Sequence, residues 1–340
     1  MAGISSPIDR AEKLLSLAVL AISIELVLFK FLPDLSTALI QHSRSALTDF
    51  TVFEEGYLTP GSVHHARFLG NYILYGLAKL LDLGYHSDDP RLHPLRVAAG
   101  ILTPAYAWLG AYFALREDAR MAWRYFMVPY ALAVVIGLYV FYPADMPSLA
   151  FLSIALFLLL RERMLAALLL TLLTGLFRET SLHMVAFVAI WVWCNPAVSL
   201  PRRISWLGVF AVAFLVEYVA VRHFFPGPVS SAGGVILDPR TLFLGAGLLS
   251  LTTICSLALA ALFPVACLVR IRQMPCDDWR CGFFKLNCYA FAAWIIFYRM
   301  MSGNLSEFRM LFPVLLPCIY GIAFGAQRQA APTAIPGKPA

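Results

Sequence analysis

Residues 48–68 gather acids, histidines and a guanidinium around a sharp turn: Asp49, Glu54 and Glu55, then Gly56-Tyr57, Thr59-Pro60-Gly61, His64, His65 and Arg67. A carboxylate suits general-base removal of a proton from a sugar or other hydroxyl, whereas Arg with His suits a phosphate. The plain alternative is a solvated loop whose charges do no more than hold it at an interface. Among the acids, Glu54 and Glu55 stand directly before Gly56-Tyr57 and the Thr-Pro-Gly turn, which can fold the segment back. Asp49 follows Thr48 and has a competing structural role, the capping of a local helix.

Three further groups are candidates. Phe177-Arg178-Glu179-Thr180 separates two short apolar runs, and charges in such a setting mark either a functional site or a self-paired cap between two helices. Asp145 stands in the turn Tyr142-Pro143-Ala144-Asp145-Met146-Pro147. Glu307 and Arg309 open the last apolar run, and Arg309 either holds a phosphate or snorkels to the surface. Glu25 and Glu217 lie inside apolar runs, as cavity groups or as packed, hydrogen-bonded ones, and His183 reads as a packing histidine. Cys276 and Cys281 lack the tight spacing and second pair of a zinc site, so no metal is indicated.

The elements that must position these groups follow from composition. Of 340 residues, 60% are hydrophobic and 14% charged, and mean hydropathy is +0.75. Soluble domains are about 45–50% apolar and about 25% charged, so lipid must cover part of this surface. The net charge of +6 is scattered between apolar runs, which excludes a nucleic-acid patch. A spanning helix needs about 20 apolar residues. Candidates cover residues 14–32, 95–115, 122–142, 204–221, 241–269, 286–301 and 310–324, with three short runs between Pro147 and Cys194 split by Arg161-Glu162-Arg163 and by Arg178-Glu179. Their shortness leaves room for a cavity at membrane depth.

Basic residues assign the sides. With residues 68–83 lying along the interface, Arg116/Arg120/Arg124, Arg161/Arg163, Arg202/Arg203 and Arg270/Arg272/Arg280/Lys285 all fall in cytoplasmic connections. If 68–83 crossed, all of them would face outward; Tyr72, Tyr75 and Lys79 also suit headgroup depth. The expectation is an all-α polytopic protein of about ten spanning helices, both termini inside. It forms a single transmembrane domain over residues 1–326, with an extracytoplasmic loop at 33–94 and a disordered cytoplasmic tail at 327–340. The seven cysteines fall in spans or inside, and no structural disulfide is implied.

This order of parts resembles the GT-C superfamily of polyprenyl-phosphate-sugar-dependent glycosyltransferases. The likeness is carried by a first span, an acidic outer loop, and residues 71–84 rich in aromatics and leucines and ending in Gly84. A Glu307-x-Arg309-x-x-x-Pro313-x-x-x-Pro317 entry to the last helix completes it. The family's common Asp-Glu pair stands here as Glu54-Glu55, its Lys-Pro-Pro-Leu stretch as Ala66-Arg67-Phe68-Leu69, and no large soluble C-terminal domain follows.

The resemblance implies a bacterial inner-membrane enzyme with its active face periplasmic. It would move a sugar from a polyprenyl-phosphate donor to a glycan, lipid or protein acceptor. Glu54, Glu55 or Asp49 would be the base, and Arg67, Arg178, Arg309, His64 and His65 would hold the donor phosphate. Asp145, Glu179, Glu307 and Tyr57 would line the cavity. The donor lipid is a substrate rather than a resident cofactor. A transporter, flippase or polymerase of lipid-linked saccharides would use the same arginines without a base, and a scaffold would use neither.

The sidedness has a direct test. A cysteine placed at Ser62 should react with an impermeant thiol reagent in intact cells, and one at Ser5 should not; labelling at Ser5 refutes the orientation.

Overall fold

A computed structural model describes residues 47, 49–60, 67–84, 93–115, 144–225, 251–272, 278–302 and 308–330. Among them the only regular structure is helical: no residue is in a strand. In chain order the elements are α1 (Phe50–Phe53) with a π-helical turn (Glu54–Leu58), α2 (Phe68–Asp82), α3 (Pro94–Leu115), α4 (Asp145–Leu160), α5 (Met164–Phe177), a 3-10 turn (Glu179–Ser181), α6 (Leu182–Cys194), α7 (Leu200–Phe224), α8 (Leu251–Arg272), α9 (Trp279–Ser302) and α10 (Phe308–Ala330). The three apolar runs between Pro147 and Cys194 are three separate helices, α4 to α6. The last helix continues to Ala330, into the segment expected as tail. The apolar runs at 14–32 and 122–142 lie outside the described residues.

The α4–α5 connection shows how charged residues end an apolar run. Arg163 N–H donates to Leu158 O and Glu162 N–H to Leu159 O, both at 2.9 Å, the paired bonds of a Schellman turn. Its left-handed position, usually glycine, is taken by Glu162 at φ 56°. The Asn195 side chain donates to Glu162 Oε1 at 2.9 Å and ties this turn to the end of α6. Arg203 of α7 donates to Val192 O in the last turn of α6, where a cation meets the negative end of the helix dipole.

These contacts sort the ends of the bundle. Arg161, Glu162, Arg163, Asn195 and Arg203 lie at one end, and Arg280 at the start of α9 is close enough to repel Arg161. The start of α4, the α5–α6 corner and the end of α7 lie at the other.

Two apolar cores result. The larger draws on α4, α5, α6, α8, α9 and α10, around fully buried Leu152, Leu156, Phe187, Trp191, Phe283 and Leu315. The smaller joins α1, the π-helical turn, α2 and α3 through Phe53, Tyr57, Leu74, Ala78, Leu95 and Ala98. Helix α2 packs on α3, α3 on α4, and α4 pairs with α5; α7 rests on α5 and α6, and α8, α9 and α10 pack on one another.

Much apolar surface stays uncovered. On α7, Val209, Val212, Leu215, Val216 and Val219 are 43–62% exposed, and Leu165, Leu169, Leu262, Val265, Val269 and Ile296 continue the apolar exterior on α5, α8 and α9. Exposed apolar surface of this extent marks a membrane or a partner. One described helix, α7, is long and apolar enough to cross a membrane, with a mean hydropathy of 2.1 over its best window and 11% of that window buried. Four shorter apolar helices, Asp145–Leu160, Met164–Phe177, Glu179–Cys194 and Leu311–Gly325, accompany it.

Close packing of α10 depends on Gly321, where a Cβ would meet Cys267 Sγ at 2.4 Å and Phe284 Cγ at 3.0 Å. Gly321→Ala should lower stability by about 1–3 kcal/mol through overpacking. The double variant with Cys267→Ala should recover part of the loss, measured as thermal unfolding in detergent.

Candidate functional site

Four elements meet at the Glu179 end of the bundle. Arg178 follows α5 in extended backbone (φ −166°, ψ 157°), which turns its side chain across to Asp145 in the first turn of α4. The two form an ion pair with side chains only 10% and 16% exposed. An acid in a first turn also faces the positive end of the helix dipole.

Glu179, the next residue, takes two more guanidinium groups. Arg222 Nη2 from the last turn of α7 lies 2.9 Å from Glu179 Oε1, and Arg67 Nε at the start of α2 lies 3.6 Å from Oε2. Burial alone would raise this carboxyl's pKa. The charges of Arg67, Arg178 and Arg222 outweigh burial and hold it below the usual carboxylate range. Phe68 stacks on Phe225, with ring centroids 3.9 Å apart and planes at 7°, and so pins the start of α2 to the end of α7. Three guanidinium groups therefore share two carboxylates. A phosphate entering here would find planar, multidentate donors already gathered.

The first-loop acids occupy three different situations. Asp49 caps α1: its side chain accepts from Thr51 N–H at 2.7 Å and Val52 N–H at 3.4 Å. Glu54, half-buried, accepts a hydrogen bond from Tyr75 Oη on α2. Burial, then the hydrogen bond and charge of Glu54, push the Tyr75 hydroxyl up to about 12. Glu55 is exposed, and Tyr57 is buried with its ring stacked on Phe53 at 4.8 Å, a packing position. The Tyr57 carbonyl accepts from the Asn71 side chain at 3.1 Å, so the π-helical turn lies along α2.

Helix α2 thus joins the two groups of residues. Arg67 precedes it and Tyr75 stands eight residues on, which puts Glu54 about 12 Å along the axis from the arginine cluster.

Of the sequence candidates, the structure brings Arg67, Arg178, Asp145 and Glu179 together, and holds Glu54 of the π-helical turn against Tyr75 of the helix that Arg67 precedes. His64, His65 and Glu307 lie outside the described residues, as does the side chain of Arg309, whose backbone opens α10. His183 is buried, donates from Nδ1 to Thr180 O at 2.8 Å and stacks on Trp294 at 4.7 Å. Arg222 was not among the candidates. Its signal was present, because an arginine that closes a span on the expected outer side departs from the rule placing basic residues inside.

Burial separates the ion pairs energetically. Asp145→Ala strands a buried guanidinium and should cost about 3–5 kcal/mol. Arg222→Gln breaks a pair whose side chains are each 35% exposed, worth about 0–1 kcal/mol. Denaturant titration in detergent should rank them in that order, and equal effects would contradict it. No protein-family model, curated protein or solved structure matches the chain.

Proposed function

We propose that this chain is a multi-pass membrane glycosyltransferase that moves a sugar from a polyprenyl-phosphate donor to an acceptor at the non-cytoplasmic face. The observation that carries the reading is the convergence of Arg67, Arg178 and Arg222 at one end of an apolar-surfaced bundle, at the start of a helix whose Tyr75 holds Glu54. The donor phosphate enters the arginine cluster and competes with Glu179 for Arg67 and Arg222. Arg178 stays anchored by Asp145, and three guanidinium groups against two carboxylates leave the cluster with positive charge in excess. Arg309 stands at the mouth of α10 as a further phosphate contact.

The apolar exterior then faces lipid, and the chain crosses about ten times with both termini inside. The end bearing Arg161, Arg163, Arg203 and Arg280 is cytoplasmic, in keeping with the inside preference of basic residues. The end bearing Glu179 faces outward, and α2 lies along that interface.

The chemistry balances simply. The acceptor oxygen attacks the anomeric carbon, the bond from that carbon to the phosphate oxygen breaks, and the arginines stabilise the departing phosphate. Glu54 takes the proton of the acceptor hydroxyl, held in place by Tyr75. Asp49, committed to its cap, and Glu55, exposed, are the weaker candidates for the base.

With a polyprenyl-phosphate sugar as donor, Glu54→Gln should lower turnover by about 10²–10⁴-fold without loss of folding. Asp49→Asn should act through stability. Death of Asp49→Asn alone moves the base to Asp49; full activity of Glu54→Gln, Glu55→Gln and Asp49→Asn removes all three as base, and a wild-type chain without turnover removes the enzyme reading and leaves a carrier of lipid-linked saccharides.

A further inference from the structure

Below the arginine cluster, a shallow cleft open to the outside runs between α5, the 3-10 turn and α7. Gly175, Glu179, Ser181, Phe214, Glu217 and Arg222 are among its lining. Glu217 stands out there. It is 9% exposed, and neither carboxyl oxygen has a hydrogen-bond partner among the described residues.

Unsatisfied buried carboxyl groups are destabilising and persist mainly where function requires them. The neighbouring helix is cut to receive this one: a Cβ on Gly175 would lie 2.1 Å from Glu217 Oε2 and 2.6 Å from Oε1. Phe214 and Tyr218, 5.9 Å apart, give the cleft aromatic surface next to that carboxyl. Glu217 and Arg222 are five residues apart on α7, about 7.5 Å along the axis. One ring attached to a phosphate spans that distance.

We propose that Glu217 selects the donor sugar, its carboxyl bonding ring hydroxyls while the attached phosphate sits on Arg222 and Arg67. This deepens, and rests on, the glycosyl-transfer reading. Aromatic walls with few polar groups are the usual make-up of a pocket that orients a small ring. A ligand hydroxyl supplies the partner that the described residues do not.

The test uses the full chain in detergent with two probes, a polyprenyl phosphate and the same lipid phosphate bearing one neutral hexose. Wild type should prefer the hexosyl lipid. Glu217→Gln should weaken that lipid by about 2–10-fold, the worth of one hydrogen bond, and leave the bare phosphate unchanged. Gly175→Ala should reproduce the loss by driving the carboxyl from its place. The thermal midpoint of Glu217→Gln should hold, because one buried polar group of the same size replaces another.

An unchanged hexosyl preference in Glu217→Gln overturns the proposal and spares the transfer reading. So does a falling midpoint with both probes weakened alike, which would make Glu217 a packing residue. Failure of either lipid to bind wild type overturns both.

Discussion

A hydrocarbon slab is about 30 Å thick, and helices α4, α5 and α6, with 16, 14 and 13 residues, reach about 24, 21 and 20 Å. The Glu179 end depends on how these short helices reverse. On the membrane reading proposed above, the reversal falls where water is scarce. A reversal there needs internal partners for its charges. Arg178 finds Asp145 at the start of α4, and Glu179 finds Arg67 and Arg222. Helix α7, with 25 residues, is long enough by itself and serves as the rail along which Arg222 and Glu217 are spaced.

The two ends of the bundle answer different demands. At the Arg161 end the polar contacts are caps and turn closures, such as Asn195 on Glu162 and Arg203 on Val192 O, which hold helix ends together. At the Glu179 end, side chains from α2, α4, the α5–α6 corner and α7 meet each other rather than backbone. Charges that meet side chain to side chain can exchange partners with a ligand without unwinding a helix. The same end also holds the unsatisfied Glu217, so stability is lower where the proposed chemistry lies.

Much of the helical layout was legible in the chain. Charged interruptions at Arg161-Glu162-Arg163 and Arg178-Glu179 divide α4, α5 and α6 where the helices end, and the segment expected at 68–83 is α2 within one residue. Apolar runs and their breakers are local signals, so one sequence carries them. Asp49 as a cap could also be weighed locally, through its own neighbours. Partner choice could not. Tyr75 meets Glu54 across 21 residues and Arg222 meets Glu179 across 43, and no periodicity announces either contact. Tyr57 looked like a cavity group beside two acids, yet its ring is buried on Phe53, because the smaller core draws it inward.

The Phe68–Phe225 stack has a consequence for how the protein is made. Its two rings lie 157 positions apart, and Arg67 and Arg222 are nearly as distant. At about 5–20 residues per second of synthesis, some 8–30 s separate the emergence of one partner from the other. Throughout that interval Arg67 lacks the end of α7. The cluster is therefore absent from the nascent chain until α7 is in place, and a chain that ends before Arg222 leaves Glu179 without one of its guanidinium partners.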